Sequence, residues 1–160
     1  MTPSRKKGEI HAGNADVEDA PPRAKSEIAD GMPSGKKGEI YVGNADVDAP
    51  GDRGWLLGYF KSPDDPRHST DVEIKWGRHP KGDRRAQWVS GEERTALLML
   101  ISGRFHVELP DRTVVLTTPG DYVLWGHGVD HSWIAEEPSV VVTVRWPSLP
   151  GYAVPHSGAS

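Results

Sequence analysis

The chain has 160 residues, 36% of them hydrophobic, and a net charge of −4. This length suits one domain with a tail, and the acidic balance disfavours a dedicated nucleic-acid binder. Without cysteine, the chain has no disulfide, no thiolate nucleophile and no cysteine-ligated metal. No apolar run approaches the roughly 18 residues of a membrane span, and no apolar segment follows the basic N-terminus. We therefore expect a cytoplasmic protein with neither a nucleic-acid nor a membrane partner.

The first 35 residues differ in composition from the rest. They contain no aromatic residue, and prolines stand at positions 3, 21, 22 and 33. Such a segment buries too little apolar surface to offset the entropy lost on ordering. We predict a disordered tail at residues 1–35, a folded domain at residues 36–150 and a flexible C-terminus at residues 151–160.

An internal repeat spans the tail and the start of the domain. Residues 3–17 read PSRKKGEIHAGNADV and residues 33–47 read PSGKKGEIYVGNADV, which are identical at 12 of 15 positions. Two copies are too few for a solenoid, which needs about three repeats. Three interpretations stay open: a neutral duplication, an ancestral start at Met32, or two copies that compete for one groove within the chain or across a dimer.

From Gly54 onward the sequence predicts β-structure. Short runs rich in Val, Leu, Ile, Trp and Thr are separated by Gly, Pro, Asp and Ser, and no window shows helical periodicity. This pattern is typical of antiparallel sandwiches and barrels. Residues 102–103 and 110–111 predict hairpin turns, and residues 119–121 a further sharp turn. The predicted strands are residues 55–60, 72–76, 95–101, 104–109, 113–116, 122–125, 132–134 and 140–146.

Two stretches of this β-region carry a resemblance to a known family. Residues 98–116 contain a strand, a glycine turn and a second strand. Residues 120–131, GDYVLWGHGVDH, place a glycine, five residues, Gly-His-Gly, two residues and His131 in order. These stretches resemble the cupin superfamily, in particular small single-domain bacterial cupins of poorly defined function. The resemblance implies an all-β antiparallel jelly-roll barrel with a small-molecule ligand in its lumen.

The resemblance also implies a divalent metal, either iron, manganese, nickel or zinc, with His131 as a ligand. The chain departs from the family here, since the His-x-His motif that supplies other ligands is absent. Counting from Gly82 places Trp88 and Ser90 at those two histidine positions. His79 is the second candidate ligand, but a stable site needs three or more protein ligands. A metal site at His79 and His131 and a metal-free lumen therefore both stay open.

Basic and aromatic residues predict an anionic ligand. Strand alternation places Lys75 and His79 on one face, and it places Arg145 on one face of the last predicted strand. Arginine binds a carboxylate or a phosphate through two parallel hydrogen bonds. His131 is the candidate catalytic residue, as a general acid or base. The candidate ligand-binding residues are Lys75, Arg85, Trp88 and Arg145.

Three functions stay open on this basis, because a fold does not determine an activity. An enzyme of isomerase, oxygenase or lyase type would act on a small anionic substrate in the lumen. A metal-free module would bind or sense a small molecule without catalysis, as the missing His-x-His favours. A structural protein would form a homodimer, with the repeat as an adhesive strand.

Overall fold

The computed structural model describes the backbone of residues 12–13 and residues 38–150 in full. The eight strands predicted after Gly54 are all present, and each end lies within three residues of its predicted position. The helices are α1 (Ala45–Asp48) and a 3-10 turn (Ala49–Asp52). The strands are β1 (Ala12–Gly13), β2 (Trp55–Leu57), β3 (Glu73–His79), β4 (Thr95–Ser102), β5 (Phe105–Leu109), β6 (Arg112–Leu116), β7 (Tyr122–Trp125), β8 (Ser132–Ala135) and β9 (Ser139–Trp146).

These strands form two antiparallel sheets that share one core. The larger sheet has the order β1-β7-β4-β9-β3-β2, and the smaller has the order β6-β5-β8. Leu100 and Val123 from the larger sheet and Phe105 and Leu116 from the smaller one are almost fully buried in one cluster. Burial of each such side chain contributes about 1.5–3 kcal/mol. The predicted all-β antiparallel fold is confirmed, and none of the helices in the described residues has the length and hydropathy to cross a membrane.

One of the two predicted hairpins is a corner between the sheets. Residues 110–111 do join a hairpin, because Leu109 of β5 pairs with Arg112 of β6. Residues 102–103 instead connect β4 of the larger sheet to β5 of the smaller one. Gly103 turns the chain with φ 95°, and an added Cβ would lie 2.3 Å from the Pro138 carbonyl oxygen. The hairpin prediction is wrong here because a corner and a hairpin share the same local turn residues.

The alignment of β3 with β9 builds one wall of the lumen. Glu73 lies opposite Arg145, and Lys75 lies opposite Thr143. Residues directly opposite each other share a face of the sheet. Glu73 and Gly77 are buried on this face, whereas Arg78 on the other face is exposed. The wall therefore carries alternating β3 residues, including Lys75 and His79, next to Arg145 of β9.

The second copy of the repeat packs on the outer face of β3. Asn44 caps α1 by accepting the Asp46 backbone N–H at 2.9 Å. The Asp46 carboxylate accepts the Trp76 indole N–H at 2.8 Å and hydrogen bonds from the Arg78 guanidinium. Four residues are too few to show helical periodicity, which is why the sequence did not predict α1.

The first copy contributes β1, which pairs with β7 at the opposite edge of the larger sheet. The described parts of the two copies thus contact different strands. Apart from β1, the predictions of a disordered tail at residues 1–35 and a flexible end at residues 151–160 concern segments that lie outside the described residues. The domain boundaries therefore stay predictions.

Candidate functional site

Two cations share one indole ring on the inner face of the larger sheet. Lys75 Nζ lies 5.5 Å from the centroid of the Trp55 ring. The Arg145 guanidinium carbon lies 4.3 Å from the same centroid. Lys75 and Arg145 were both predicted from the sequence as ligand-binding residues. Trp55 was not, and it lies beside Lys75 because β2 pairs with β3 at that position. Cation–π contacts of this kind contribute about 0.5–1 kcal/mol at exposed sites and more when desolvated.

A network of four charged residues lies beside this pair. Glu73, Glu92 and Arg94 are 1%, 2% and 3% exposed. Arg94 contacts Glu92 at 2.6 Å and Glu73 at 3.2 Å. Arg145 contacts Glu73 at 2.6 Å and Glu92 at 3.4 Å. Counting described residues alone, two carboxylates and two guanidinium groups balance in charge within this network.

Lys75 is outside this neutral network. Burial lowers the pKa of Lys75, and the nearby charges of Arg145 and Arg85 lower it further. No ion pair joins Lys75 to a carboxylate in the part of the chain that the structure describes. Because the network already balances Arg145, Lys75 and Arg85 leave this region of the lumen with excess positive charge.

His131 lies in the same electrostatic environment. Its Nδ1 is 3.0 Å from the Val129 carbonyl oxygen, which only accepts hydrogen bonds, so Nδ1 carries the proton and Nε2 is an acceptor. Burial lowers the pKa of His131, and the charges of Arg85 and Arg145 add to that change. The Val129 hydrogen bond and the charge of Glu92 oppose it. The ordinary histidine pKa is near 6.5, so His131 is neutral at pH 7.

The His131 ring packs against a buried tryptophan that carries an unused donor. The centroids of the His131 and Trp125 rings are 4.7 Å apart. Trp125 is 3% exposed, and among the described residues its indole N–H has no acceptor within hydrogen-bond distance. Buried tryptophan N–H groups usually find an acceptor. The two contacting rings therefore carry one hydrogen-bond donor, on Trp125, and one acceptor, on His131.

The segment before β4 brings in the remaining predicted residues. The Arg85 backbone N–H donates to the Trp133 carbonyl at 3.1 Å, which ties the segment to β8. The charge of Arg85 acts on both Lys75 and His131, so these residues and Arg145 share one region. Trp88 is 48% exposed, and no ring contact joins it to that region within residues 38–150. Its predicted role in ligand binding stays a prediction.

His79 occupies a different place on the same wall. Its Nδ1 lies 2.8 Å from an Asp83 carboxylate oxygen, and its ring centroid lies 4.3 Å from that of Trp133. A cavity of about 400 Å³ under α1 is lined by His79, Asp83, Trp133 and Lys75 among others. Lys75 thus borders both this cavity and the charged region around Arg145.

The predicted metal finds little support in this arrangement. Among the residues that the structure describes, no group of three histidine, aspartate or glutamate side chains could hold a metal ion. Glu73 and Glu92 are engaged by arginines. The positive charges of Arg85 and Arg145 act on His131 alongside the negative charge of Glu92. The described residues around His131 therefore supply no set of three ligands for a divalent metal, and the metal site at His79 and His131 stays an untested prediction.

Three residues of this region were not singled out by the sequence. Arg94 lies just before β4, where no periodic pattern indicates its direction, and its partner Glu73 is distant in sequence. Trp55 and Trp125 resemble ordinary core tryptophans in the sequence. A signal was nevertheless present for Trp55, because an aromatic residue in a short strand favours pairing with a neighbouring strand.

No family model and no curated protein matches the chain. Several solved structures are similar to it. KdgF from Halomonas sp. is 25% identical, with 51% of this chain and 75% of that chain covered and a TM-score of 0.46. An RmlC-like cupin from Shewanella frigidimarina is 18% identical, with 52% and 73% covered and a TM-score of 0.46. A cupin superfamily protein from Desulfitobacterium hafniense is 14% identical, with 49% and 69% covered and a TM-score of 0.45.

Two of these three structures are described as cupins. At these TM-scores and identities, the likeness identifies neither a substrate nor a reaction.

Proposed function

We propose that the lumen binds a small organic anion, with Lys75 as its main electrostatic partner. The observation that carries this proposal is the partly buried amine of Lys75, which has Arg145 and Arg85 nearby but no carboxylate partner in the described residues. A buried charge without a counter-charge is costly. A carboxylate ligand supplies the missing charge and forms a charge-assisted hydrogen bond in a region of low dielectric.

The surroundings of Lys75 favour a carboxylate that also bears a hydroxyl group. Trp55 supplies an apolar wall for the carbon skeleton. His131 Nε2 accepts a hydrogen bond, and the unused Trp125 N–H donates one. A hydroxyl group can satisfy both because it donates and accepts. In this proposal Arg85 supplies further positive charge, while Arg145 stays in its ion pairs.

Catalysis is the second candidate, and neutral His131 is the feature that favours it. A neutral imidazole with a fixed tautomer accepts a proton, and nearby cations stabilise the negative charge that forms on a carboxylate substrate when it loses one. This chemistry needs no metal. Proton NMR in deuterium oxide tests it: exchange of the C–H proton next to the carboxylate, lost in His131→Gln, supports catalysis, whereas binding without exchange supports a binding module.

Isothermal titration calorimetry tests the proposal. The probes are acetate, succinate, malate, citrate and pyruvate, with succinamide as an uncharged control. We expect at least one carboxylate to bind with a Kd of about 1 mM or lower and succinamide not to bind. Lys75→Gln should weaken binding at least about tenfold, equivalent to roughly 1.4 kcal/mol. Lys81→Gln is the matched control because Lys81 is exposed.

The proposal fails if none of the carboxylates binds. It also fails if Lys75→Gln and Lys81→Gln leave the Kd equally unchanged, since the ligand then does not use the lumen amine. A chelator in the same titration tests the metal-dependent alternative, which requires binding or turnover to fall when the metal is removed.

A further inference from the structure

The second copy of the repeat exposes apolar side chains that the proposed function does not use. Ile40 is 88% exposed and Val42 is 87% exposed. They precede α1, which Asp46 fixes on β3 through Trp76 and Arg78. Large apolar side chains exposed two residues apart give a short extended segment one apolar face. Such a face is suited to a binding partner.

The first copy indicates where this segment fits. β1 pairs with β7 so that Ala12 lies opposite Val123 and Gly13 opposite Tyr122. The repeat offset places Val42 and Gly43 at the positions of Ala12 and Gly13. The edge of β7 therefore accepts part of one copy of the repeat, and the second copy has Val42-Gly43 at the positions of the paired Ala12-Gly13.

We propose that residues 40–43 of one chain pair with β7 of a second chain in place of β1, forming a reciprocal dimer. In the register of β1, Val42 lies opposite Val123 and Gly43 opposite Tyr122. Val123 is fully buried and belongs to the core cluster. Because opposite residues share a face, Val42 and Ile40 would leave water and pack beside Val123. The first copy offers only alanine at the position of Val42.

The anchored helix directs the segment to a second chain rather than to its own β7. The strand position beside β7 is four strands from β3 along the larger sheet. At about 4.8 Å per strand, this separation is roughly 19 Å. Two residues lie between Gly43 and Asp46, so the Cα atoms of Gly43 and Asp46 are at most about 11 Å apart. The backbone reach from Asp46 is shorter than this separation, which favours a second chain as the partner while Asp46 holds Trp76 and Arg78.

Disulfide trapping tests the register directly, because the chain has no cysteine of its own. The test variant carries Val42→Cys and Val123→Cys. Opposite residues in an antiparallel pair have Cα atoms about 4.5–5.5 Å apart, within the range of a disulfide. We expect oxidation to give a covalent dimer on a non-reducing gel. The control carries Val42→Cys and Val115→Cys, since Val115 lies on β6 of the other sheet.

The proposal is overturned if the Val42–Val123 pair stays monomeric, if it links within one chain, or if the control pair forms covalent dimer equally fast. Analytical ultracentrifugation without a core substitution provides a second test. Val42→Asp should remove a concentration-dependent dimer, because its carboxylate would be buried beside Val123 without a partner. Val47→Asp, at a residue 77% exposed and outside the paired segment, should preserve it. A monomer at all concentrations, or a dimer that persists in Val42→Asp, contradicts the proposal.

Discussion

Replacing Lys75 with methionine tests two expected consequences of its charge in the lumen, a lower stability and an affinity for carboxylates. Lysine and methionine both have unbranched side chains, so the apolar stem that packs near Trp55 is largely retained. The substitution removes the ammonium group, whose pKa burial lowers. We expect the variant to be more stable than the native chain and to lose the affinity for carboxylates.

The size of the gain follows from two opposing contributions. Replacing buried charges by apolar groups of similar volume is often neutral or stabilises a protein by about 1–4 kcal/mol. Loss of the contact between Lys75 and Trp55, at 5.5 Å, costs about 0.5–1 kcal/mol. Lys75 is only partly buried, so the low end applies, and we expect a net gain of about 1 kcal/mol. For a domain of this size, that corresponds to a rise in Tm of roughly 2–6 °C.

The stability difference between Lys75→Met and the native chain should also depend on pH. The pKa of Lys75 is lower in the folded chain than its unfolded value of about 10.4, so the unfolded state binds the proton more tightly. The contribution of Lys75 to the free energy of unfolding therefore rises as the pH increases from the folded-state pKa to the unfolded-state pKa of about 10.4. The advantage of Lys75→Met should be largest at neutral pH and should shrink toward about pH 10.4.

Urea unfolding followed by tryptophan fluorescence measures this difference, with Lys81→Met as the exposed control. The control should stay within about 0.5 kcal/mol of the native chain at every pH. A Lys75→Met variant that is less stable than the native chain at neutral pH would refute the reasoning, because the amine would then be a net stabilising group with a partner.

Three further predictions concern other parts of the domain. Stability should fall as pH drops below about 6.5, because burial lowers the pKa of His131 and the unfolded chain takes up the proton first; His131→Asn should reduce that slope in urea titrations. Glu73→Gln should lower the free energy of unfolding by about 3–5 kcal/mol by leaving buried arginines short of one carboxylate, whereas exposed Glu93→Gln should change it by less than about 0.5 kcal/mol in the same denaturation assay. Gly103→Ala should lower the Tm far more than Gly82→Ala, because both have positive φ but only Gly103 has backbone 2.3 Å from an added Cβ.

The sequence predicts the strands well because their signals are local. β-branched and aromatic runs bounded by turn residues mark β3, β7 and β9 within a few residues of their observed bounds. Pairing between distant strands has no such local signal. The corner at Gly103 was therefore predicted as a hairpin, although β4 and β5 belong to different sheets.

In the candidate site, too, the features with a local sequence signal were predictable and those that depend on long-range contacts were not. Alternation within a strand indicates that Lys75 and Arg145 each lie on a definite face, and the antiparallel register of β3 and β9 brings those faces together. The partners of Arg94 were not predictable, because Glu73 is brought to it by the packing of the whole barrel wall. The distinction between a balanced charge network and an unbalanced Lys75 depends on those long-range contacts.

The central claim is that a carboxylate ligand binds at Lys75 inside the lumen. A crystal structure of the chain with the carboxylate that binds most tightly tests this claim most directly. The account predicts a carboxylate oxygen about 2.7–2.9 Å from Lys75 Nζ, with the ligand skeleton against Trp55. A carboxylate bound elsewhere, with Lys75 still lacking an anionic partner, would contradict it.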